Sequence, residues 1–204
     1  MLRVAIVLGG YAIFLASCST TISNERARSE LEQSSTTPPV PLAFNYCYSH
    51  GCKQVAATNL TVEEWAKIRG YFVPPAVDAV EERRSVAIAV GRFETYVGEK
   101  LRTKNDRGGT FPAYGGYRQL DCVDEATNTT TFLRMLEHES QLKWHRVSWP
   151  VSRGIFVTGW PHSTATIEEI QNRRQFAVDS WFFDNGEDAV IVPLEAWSAG
   201  WVPK

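Results

Sequence analysis

The sequence has almost no net charge, with 21 Lys and Arg against 23 Asp and Glu and a formal charge of -2. This balance gives no electrostatic reason to expect a nucleic-acid partner. The chain also lacks an apolar run long enough to span a bilayer comfortably, and it contains no internal repeat. With 204 residues, 44% of them hydrophobic, it can bury one substantial core but has little room for two full domains.

The longest apolar run lies near the N-terminus, where Arg3 precedes residues 4–16. Its length is that of a secretory signal core, and it ends in Leu-Ala-Ser-Cys at Cys18. We therefore predict that residues 1–18 are a bacterial lipoprotein signal peptide and that Cys18 is the lipidated new N-terminus. Ser19 after the cysteine is typical of sorting to the outer membrane, so we expect an exported, periplasmic protein anchored by lipid to the cell envelope. An ordinary cleaved signal or an uncleaved anchor is the alternative.

Two further regions follow the signal. Residues 19–43 are rich in Ser, Thr, Glu and Arg and end in a proline-rich stretch, without apolar periodicity. Such a composition buries little apolar area and predicts a flexible tether. The folded domain is expected over residues 44–204.

The four cysteines divide into three kinds. With Cys18 lipidated, Cys47 and Cys52 lie close enough in sequence to close a local disulfide in an oxidising compartment. A zinc site that also uses His50 is the alternative, but it supplies only three ligands where zinc normally has four. Cys122 is left without a partner, and an unpaired cysteine in an exported protein is a candidate for chemistry.

Three segments have the spacing and end signals of helices. A capping-box pattern predicts a helix over residues 62 to about 72, and two more are predicted over 76 to about 102 and 123 to about 139. Gly91 and Gly98 are weak points in the second. The apolar positions expected on helix faces are Val77, Val80, Ile88, Phe93 and Val97 in the second helix, and Ala126, Phe132, Leu133, Met135 and Leu136 in the third.

The C-terminal part of the chain has the composition of a sheet. Short β-branched and aromatic segments predict strands, and residues 184–187 form a hairpin turn between the last two. A short helical turn is expected over 193–197. The predicted strands are residues 144–149, 155–160, 163–167, 176–182 and 189–192. Helices followed by an antiparallel sheet make an α+β arrangement.

Cys122 lies where a glycine-rich loop, residues 103–120, meets the start of the third predicted helix. Free N–H groups and the positive end of the helix dipole favour the thiolate, which is the nucleophilic form. Its activation is completed by an imidazole and by a carboxylate that orients the imidazole. His162 opens a β-rich segment. Asp179 lies in an otherwise apolar and aromatic strand, where a carboxylate needs a partner such as an imidazole on a neighbouring strand.

The motifs around these residues are Asp-Cys-Val-Asp-Glu-Ala at 121–126, His-Ser-Thr-Ala-Thr-Ile at 162–167 and Val-Asp-Ser-Trp-Phe at 178–182. In order and placement they resemble the transglutaminase-like branch of the papain-type thiol enzymes, including bacterial transglutaminase-like cysteine proteinases, over about residues 110–185. That family carries a Gly-x-Cys-x-Asp-x-Ala type motif at a helix start, then a histidine on one strand and an aspartate on the next. This chain departs from the pattern in the residue before its cysteine and in lacking Ala-Trp after its histidine.

The resemblance implies a papain-like core with Cys122 as nucleophile at a helix N-terminus, His162 as general base and acid, and Asp179 as the orienting carboxylate, with no cofactor or metal. The backbone N–H of Cys122 is one candidate oxyanion donor, and the Gln119 side chain and the Tyr117 hydroxyl are others. Gln119 also fits an ordinary loop residue. Each triad member has an ordinary alternative as well: a buried structural thiol, a histidine after a turn, and an aspartate that caps a hairpin.

The expected reaction is attack of the thiolate on an amide carbonyl of an envelope protein or peptide, followed by transfer of the acyl group to water or to an amine. One alternative is a cell-wall cysteine peptidase of the NlpC kind, which usually has Asp-Cys-Ser-Gly around its nucleophile. Another is an inactive domain that binds protein or peptidoglycan through exposed tryptophans such as Trp197 and Trp201. The sequence does not predict an oligomeric state.

Overall fold

The computed structural model describes residues 24–111, 116, 118–154 and 161–204. The predicted signal peptide, Cys18 and the strand predicted over residues 155–160 lie outside these ranges. No helix within them has the length and apolarity needed to cross a membrane. The elements in chain order are α1 (Glu25–Thr36), β1 (Phe44–Tyr48), β2 (Gln54–Thr58), α2 (Val62–Arg69) with a following 3₁₀ turn (Gly70–Phe72), α3 (Ala79–Leu101), α4 (Cys122–His138), β3 (His145–Arg153), β4 (His162–Glu169), β5 (Gln175–Asp179), β6 (Val190–Pro193) and α5 (Leu194–Ser198).

The described strands form two antiparallel sheets. β3, β4, β5 and β6 lie side by side in sequence order, and β1 pairs with β2 in a separate hairpin. The α+β class with an antiparallel sheet is therefore confirmed, whereas the β1–β2 hairpin between the first helices had not been predicted. The turn predicted at 184–187 is present, with a hydrogen bond from the N–H of Glu187 to the carbonyl of Asp184.

Helix α4 is the central element, because it packs across β4 and β3 on one side and against α1 and β1 on the other. The apolar residues predicted for its face are all buried. Its polar stretch from 127 to 131 is buried as well. The hydroxyls of Thr127, Thr130 and Thr131 bond to carbonyls four residues earlier, so these side chains are satisfied within the helix. A helix enclosed in this way holds its first residue, Cys122, in a fixed place.

Helix α3 forms where it was predicted, but its buried face differs from the predicted one. Phe93 and Val97 are buried as expected, whereas Val77, Val80 and Ile88 are exposed. The buried stripe runs through Val86, Ala89, Val90, Phe93 and Val97. These positions are three or four residues apart, as on one face of a helix. The predicted set included wider gaps and therefore did not follow a single face.

Gly91 and Gly98, considered weak points in α3, are the positions where the 184–187 turn approaches the helix. A Cβ atom on Gly91 would lie 2.5 Å from the carbonyl oxygen of Glu187, and one on Gly98 would lie 2.9 Å from Oδ1 of Asn185. The first of these neighbours is backbone, which cannot move aside without shifting the whole turn. The two glycines therefore permit close packing at the cost of some helix propensity.

We predict that Gly91→Ala lowers the free energy of unfolding by about 1–3 kcal/mol, because the overpacking exceeds the gain in helix propensity. Gly70→Ala is the matched control. Gly70 has a helical backbone and no atom within 4 Å of its would-be Cβ. Its replacement should change stability by no more than about 0.5 kcal/mol. Urea unfolding followed by circular dichroism measures both, and equal stabilities for the two variants would contradict the prediction.

The segment predicted as a flexible tether contains helix α1, so that prediction is wrong for residues 25–36. Ala27 and Leu31 are buried against α4 beside the disulfide. The Arg134 guanidinium donates to the carbonyl of Leu31 and to the hydroxyl of Ser34. Only two apolar side chains of α1 make this contact, which is too few to give the helix a recognisable periodicity in the sequence.

The predicted disulfide between Cys47 and Cys52 is present, so these sulfurs are not available as zinc ligands. The loop between them is tied to the start of α4. Oδ2 of Asp124 accepts from the N–H of His50 at 2.7 Å, and Oδ1 accepts from the N–H of Cys52 at 2.6 Å. Asn128, one turn further along, bonds to both the N–H and the carbonyl of Cys47. The hairpin thus buttresses the helix end that carries Cys122.

Candidate active site

Cys122 is the first residue of α4, as predicted, and its position follows from a reciprocal cap. The Asp121 carboxylate accepts from the N–H groups of Val123 and Asp124, each at 3.0 Å, while Asp124 accepts from the N–H of Asp121 at 3.2 Å. This capping box fixes where the helix begins. Cys122 is 9% exposed, so the residue is almost entirely shielded from solvent.

His162 and Asp179 lie on the neighbouring strands β4 and β5 and are joined by a hydrogen bond. Nε2 of His162 lies 2.7 Å from Oδ2 of Asp179, and both side chains are buried. The strands are antiparallel, with Ala165 opposite Val178, so the register places Asp179 across from Thr164. His162 lies two residues before Thr164 on the same face of the sheet, within reach of the carboxylate. The sheet thereby supplies the partner that a carboxylate in an apolar strand requires.

The sulfur of Cys122 lies near the start of β4, close enough to the backbone N–H of Ser163, the residue after His162, for this N–H to lower the pKa of the thiol. Nδ1 of His162 is buried and makes no hydrogen bond with any described residue, Cys122 included. The structure therefore joins His162 to Asp179 directly and brings Cys122 beside the strand that carries His162. The catalytic roles of the three residues remain predictions.

Burial raises the pKa of the Cys122 thiol to about 12. The nearby negative charge of Asp121 acts in the same direction, while the Ser163 N–H opposes both. This differs from the expectation that a helix N-terminus would favour the thiolate. The dipole effect is of modest size, and here the loss of hydration and the capping carboxylate outweigh it. At neutral pH the residue is a thiol.

Aromatic rings surround the imidazole of His162. The ring centroids of Trp181, Phe182 and Trp197 lie 4.5, 5.2 and 5.4 Å from it. Trp197 also donates from Nε1 to Oδ2 of Asp179 at 2.6 Å. The sequence-based interpretation of Trp197 as an exposed binding residue is therefore wrong, because its side chain is fully buried in the site. Nothing local distinguishes it from Trp201, which is partly exposed and packs on Phe182.

The contacts of the oxyanion candidates differ. The amide of Gln119 donates to the carbonyl of Asn105 at 2.9 Å and accepts from the N–H of Arg107 at 3.0 Å. Both ends of this amide hold the loop before α4, which fits an ordinary loop residue and gives no support to an oxyanion role. Tyr117 lies outside the described residues. The N–H of Cys122 is not taken by any described acceptor, because the Asp121 carboxylate serves Val123 and Asp124.

Behind the site lies a buried acidic cluster that sequence reasoning missed. The hydroxyl of Ser180, next to Asp179, donates to Glu125 at 2.7 Å, and Glu125 lies beside Glu94 of α3. Burial raises the pKa of Glu94 to about 7 and that of Asp106 to about 8, and it also raises the pKa of Glu125. Glu94 lies on α3, Glu125 on α4, and Asp106 in the loop between these helices. No pattern in the sequence predicts that the three segments meet, so the cluster could not be predicted.

The other histidines have different surroundings. Nδ1 of His145 bonds to Glu82 at 2.8 Å and its Nε2 bonds to Arg83 at 3.0 Å. Glu82 also accepts from three backbone N–H groups, so this buried network joins α3 to β3. His138 is exposed at the end of α4. His50 lies in the disulfide loop. No cluster of His, Cys, Asp and Glu within the described ranges has the makings of a metal site.

Comparison with protein-family models, with curated proteins and with solved structures finds no match.

Proposed function

We propose that this protein is a thiol enzyme that acts on amide bonds, with Cys122 as nucleophile, His162 as general base and acid, and Asp179 as orienting carboxylate. The observation that carries the proposal is the buried bond from His162 to Asp179. Nδ1 of the same ring has no hydrogen-bond partner within the described part of the chain. His162 lies on β4, and the backbone N–H of the following residue, Ser163, lies close to the Cys122 sulfur. The proposed nucleophile, base and orienting group thus belong to three adjoining elements, α4, β4 and β5.

The raised pKa of Cys122 favours a general-base route. As the sulfur attacks the amide carbonyl, Nδ1 of His162 takes the thiol proton, and Asp179 stabilises the imidazolium. The Cys122 side chain turns from the Ser163 N–H toward Nδ1 for this step. The backbone N–H of Cys122 donates to the tetrahedral oxyanion. Collapse expels the amine, which receives the proton from His162, and leaves a thioester on the sulfur.

In the second half of the cycle, water or a second amine attacks the thioester. His162 takes the proton of the attacking group and returns it to the departing sulfur, which restores the thiol. Water gives a peptidase or amidase, and an amine gives a crosslinking enzyme. With the expected lipid anchor at Cys18, the substrates are proteins or peptides of the cell envelope. The papain-like core and the transglutaminase-like branch are part of this proposal.

A second candidate is an inactive domain that binds protein or peptidoglycan. The near-complete burial of Cys122 and its raised pKa favour this alternative. A buried free thiol with a raised pKa is typical of a structural residue, whereas reactive cysteines are usually partly exposed.

The test compares the full-length protein, purified in mild detergent, with Cys122→Ala on an extract of envelope proteins and peptides. New N-termini or new amide crosslinks, identified by mass spectrometry, should arise with the wild type and be absent with Cys122→Ala. Identical products from both proteins would contradict the proposal that Cys122 is the nucleophile. The absence of any product, together with binding of envelope components by both, would establish the binding domain instead.

A further inference from the structure

Trp197, on the short C-terminal helix α5, provides a second hydrogen bond to the carboxylate of Asp179. Its Nε1 lies 2.6 Å from Oδ2, and the same oxygen lies 2.7 Å from Nε2 of His162. The tryptophan side chain is fully buried, and His162 and Asp179 are 4% and 2% exposed. Water is therefore excluded from the oxygen on which both donors converge.

The chemistry of these three groups determines which ring nitrogen of His162 holds the proton. An indole N–H only donates and an ionised carboxylate only accepts. Oδ2 therefore accepts from both partners, and Nε2 of His162 must be the donor. In the neutral imidazole the other nitrogen, Nδ1, is then an acceptor. Nδ1 is buried on the strand beside Cys122 and has no hydrogen-bond partner among the residues that the structure describes.

Trp197 is itself held from outside the site by Arg153. The guanidinium of Arg153 lies 4.3 Å from the centre of the indole ring and donates to the carbonyl of Trp197. Arg153 is the last residue of β3 and pairs with His162, the first residue of β4. The indole therefore contacts both a cation that belongs to the sheet and the imidazole of His162.

We propose that Trp197 is a positioning residue that fixes His162 in the tautomer protonated at Nε2 and keeps Nδ1 available as a base toward Cys122. Its N–H sets the rotamer of the Asp179 carboxylate, and its ring covers the bond between aspartate and histidine. The consequence for catalysis rests on the proposed function. The effect on the tautomer does not.

The test replaces Trp197 by phenylalanine, which keeps a ring in the site and removes the N–H. Nitrogen NMR of histidine-labelled protein at about pH 8.5, where imidazoles are neutral, distinguishes the two tautomers. The His162 signals are assigned from their loss in His162→Gln. The wild type should show a single tautomer protonated at Nε2, and Trp197→Phe should show a mixture of the two. On any substrate found in the envelope extract, kcat should fall about tenfold with KM within about twofold.

Trp201→Phe is the matched control, since Trp201 contacts Phe182 of the same aromatic cluster and does not bond to Asp179. It should leave the tautomer unchanged. If Trp197→Phe does not fold, as judged by its thermal unfolding, Arg153→Met replaces it. This variant loosens the indole without removing it and should give a smaller shift of the same kind.

A single Nε2-protonated tautomer in Trp197→Phe, or in Arg153→Met where that variant is used, would overturn the inference. The same holds for a wild type protonated at Nδ1. The NMR measurement needs no substrate. An inactive wild type whose His162 tautomer depends on Trp197 would therefore contradict the proposed enzymatic function and still support the positioning role of Trp197.

Discussion

Replacing His162 by alanine should lower the rate at which the protein cuts or transfers an amide substrate by about 10²–10⁴-fold. The reason is the state of the nucleophile: burial and Asp121 raise the pKa of Cys122 to about 12, so the sulfur carries its proton at neutral pH. Without Nδ1 of His162, the reaction loses the base to which the proposed mechanism assigns that proton. The loss should appear in kcat, because the imidazole acts in the transition state more than in binding.

The measurement follows product formation by mass spectrometry or fluorescence on a substrate identified in the envelope extract. His138→Ala is the matched control, since His138 is exposed at the far end of α4 and should leave the rate unchanged. Asp179→Asn should also slow the reaction, because an amide no longer enforces the Nε2-protonated ring. A His162→Ala variant with at least half of the wild-type rate would remove His162 from the mechanism.

The second large effect is the dependence of Cys122 alkylation on pH. Between pH 7 and 10 the rate with iodoacetamide should rise about tenfold for each pH unit, or about 10³-fold in all, because only the thiolate reacts. The sign follows from the raised pKa: throughout this range the pH lies below about 12, so the thiolate fraction keeps increasing. A plateau below pH 8 would instead indicate a thiolate–imidazolium pair already formed in the resting protein.

Asp121→Asn provides an internal check on the cause. Asparagine keeps the N-cap of α4 but removes the charge that raises the pKa of Cys122, so alkylation should be faster at every pH in the range. Asp78→Asn is the control, since Asp78 caps α3 in the same manner and is not among the charges that act on Cys122. Peptide mapping scores the modification at Cys122 itself. Equal rates in Asp121→Asn and the wild type would show that the charge of Asp121 does not contribute to the low reactivity.

The two measurements report on different states of the protein. Alkylation reports the resting thiol, whereas the His162→Ala kinetics report proton transfer when a carbonyl is bound. Slow alkylation combined with a strong loss in His162→Ala is the result expected of the general-base route. Slow alkylation with no activity in the wild type would favour the binding domain.

Local signals account for what could be predicted. The capping pattern before α2, the apolar face of α4 and the β-branched segments of β4 and β6 depend on residues within one or two turns of each other. They gave the α+β class, and they placed Cys122 at a helix start. The partner of Asp179 could also be predicted, because a carboxylate buried in an apolar strand needs a hydrogen-bonding or charged partner and few are available. Helix α1 was missed because two buried side chains are too few to form a pattern.

Local patterns located α2, α3, α4 and the strands of the four-stranded sheet, but neither α1 nor the β1–β2 hairpin. They also set apart one unpaired cysteine, one histidine and one aspartate as a chemically consistent set. The environment of that set depends on how distant segments pack. The thiol is buried beside a capping carboxylate, Glu94 and Glu125 lie behind it, and Trp197 bonds to Asp179. The physical reason is that desolvation and hydrogen bonding between distant segments depend on which surfaces meet. That information is distributed over the whole folded chain, and no single motif contains it.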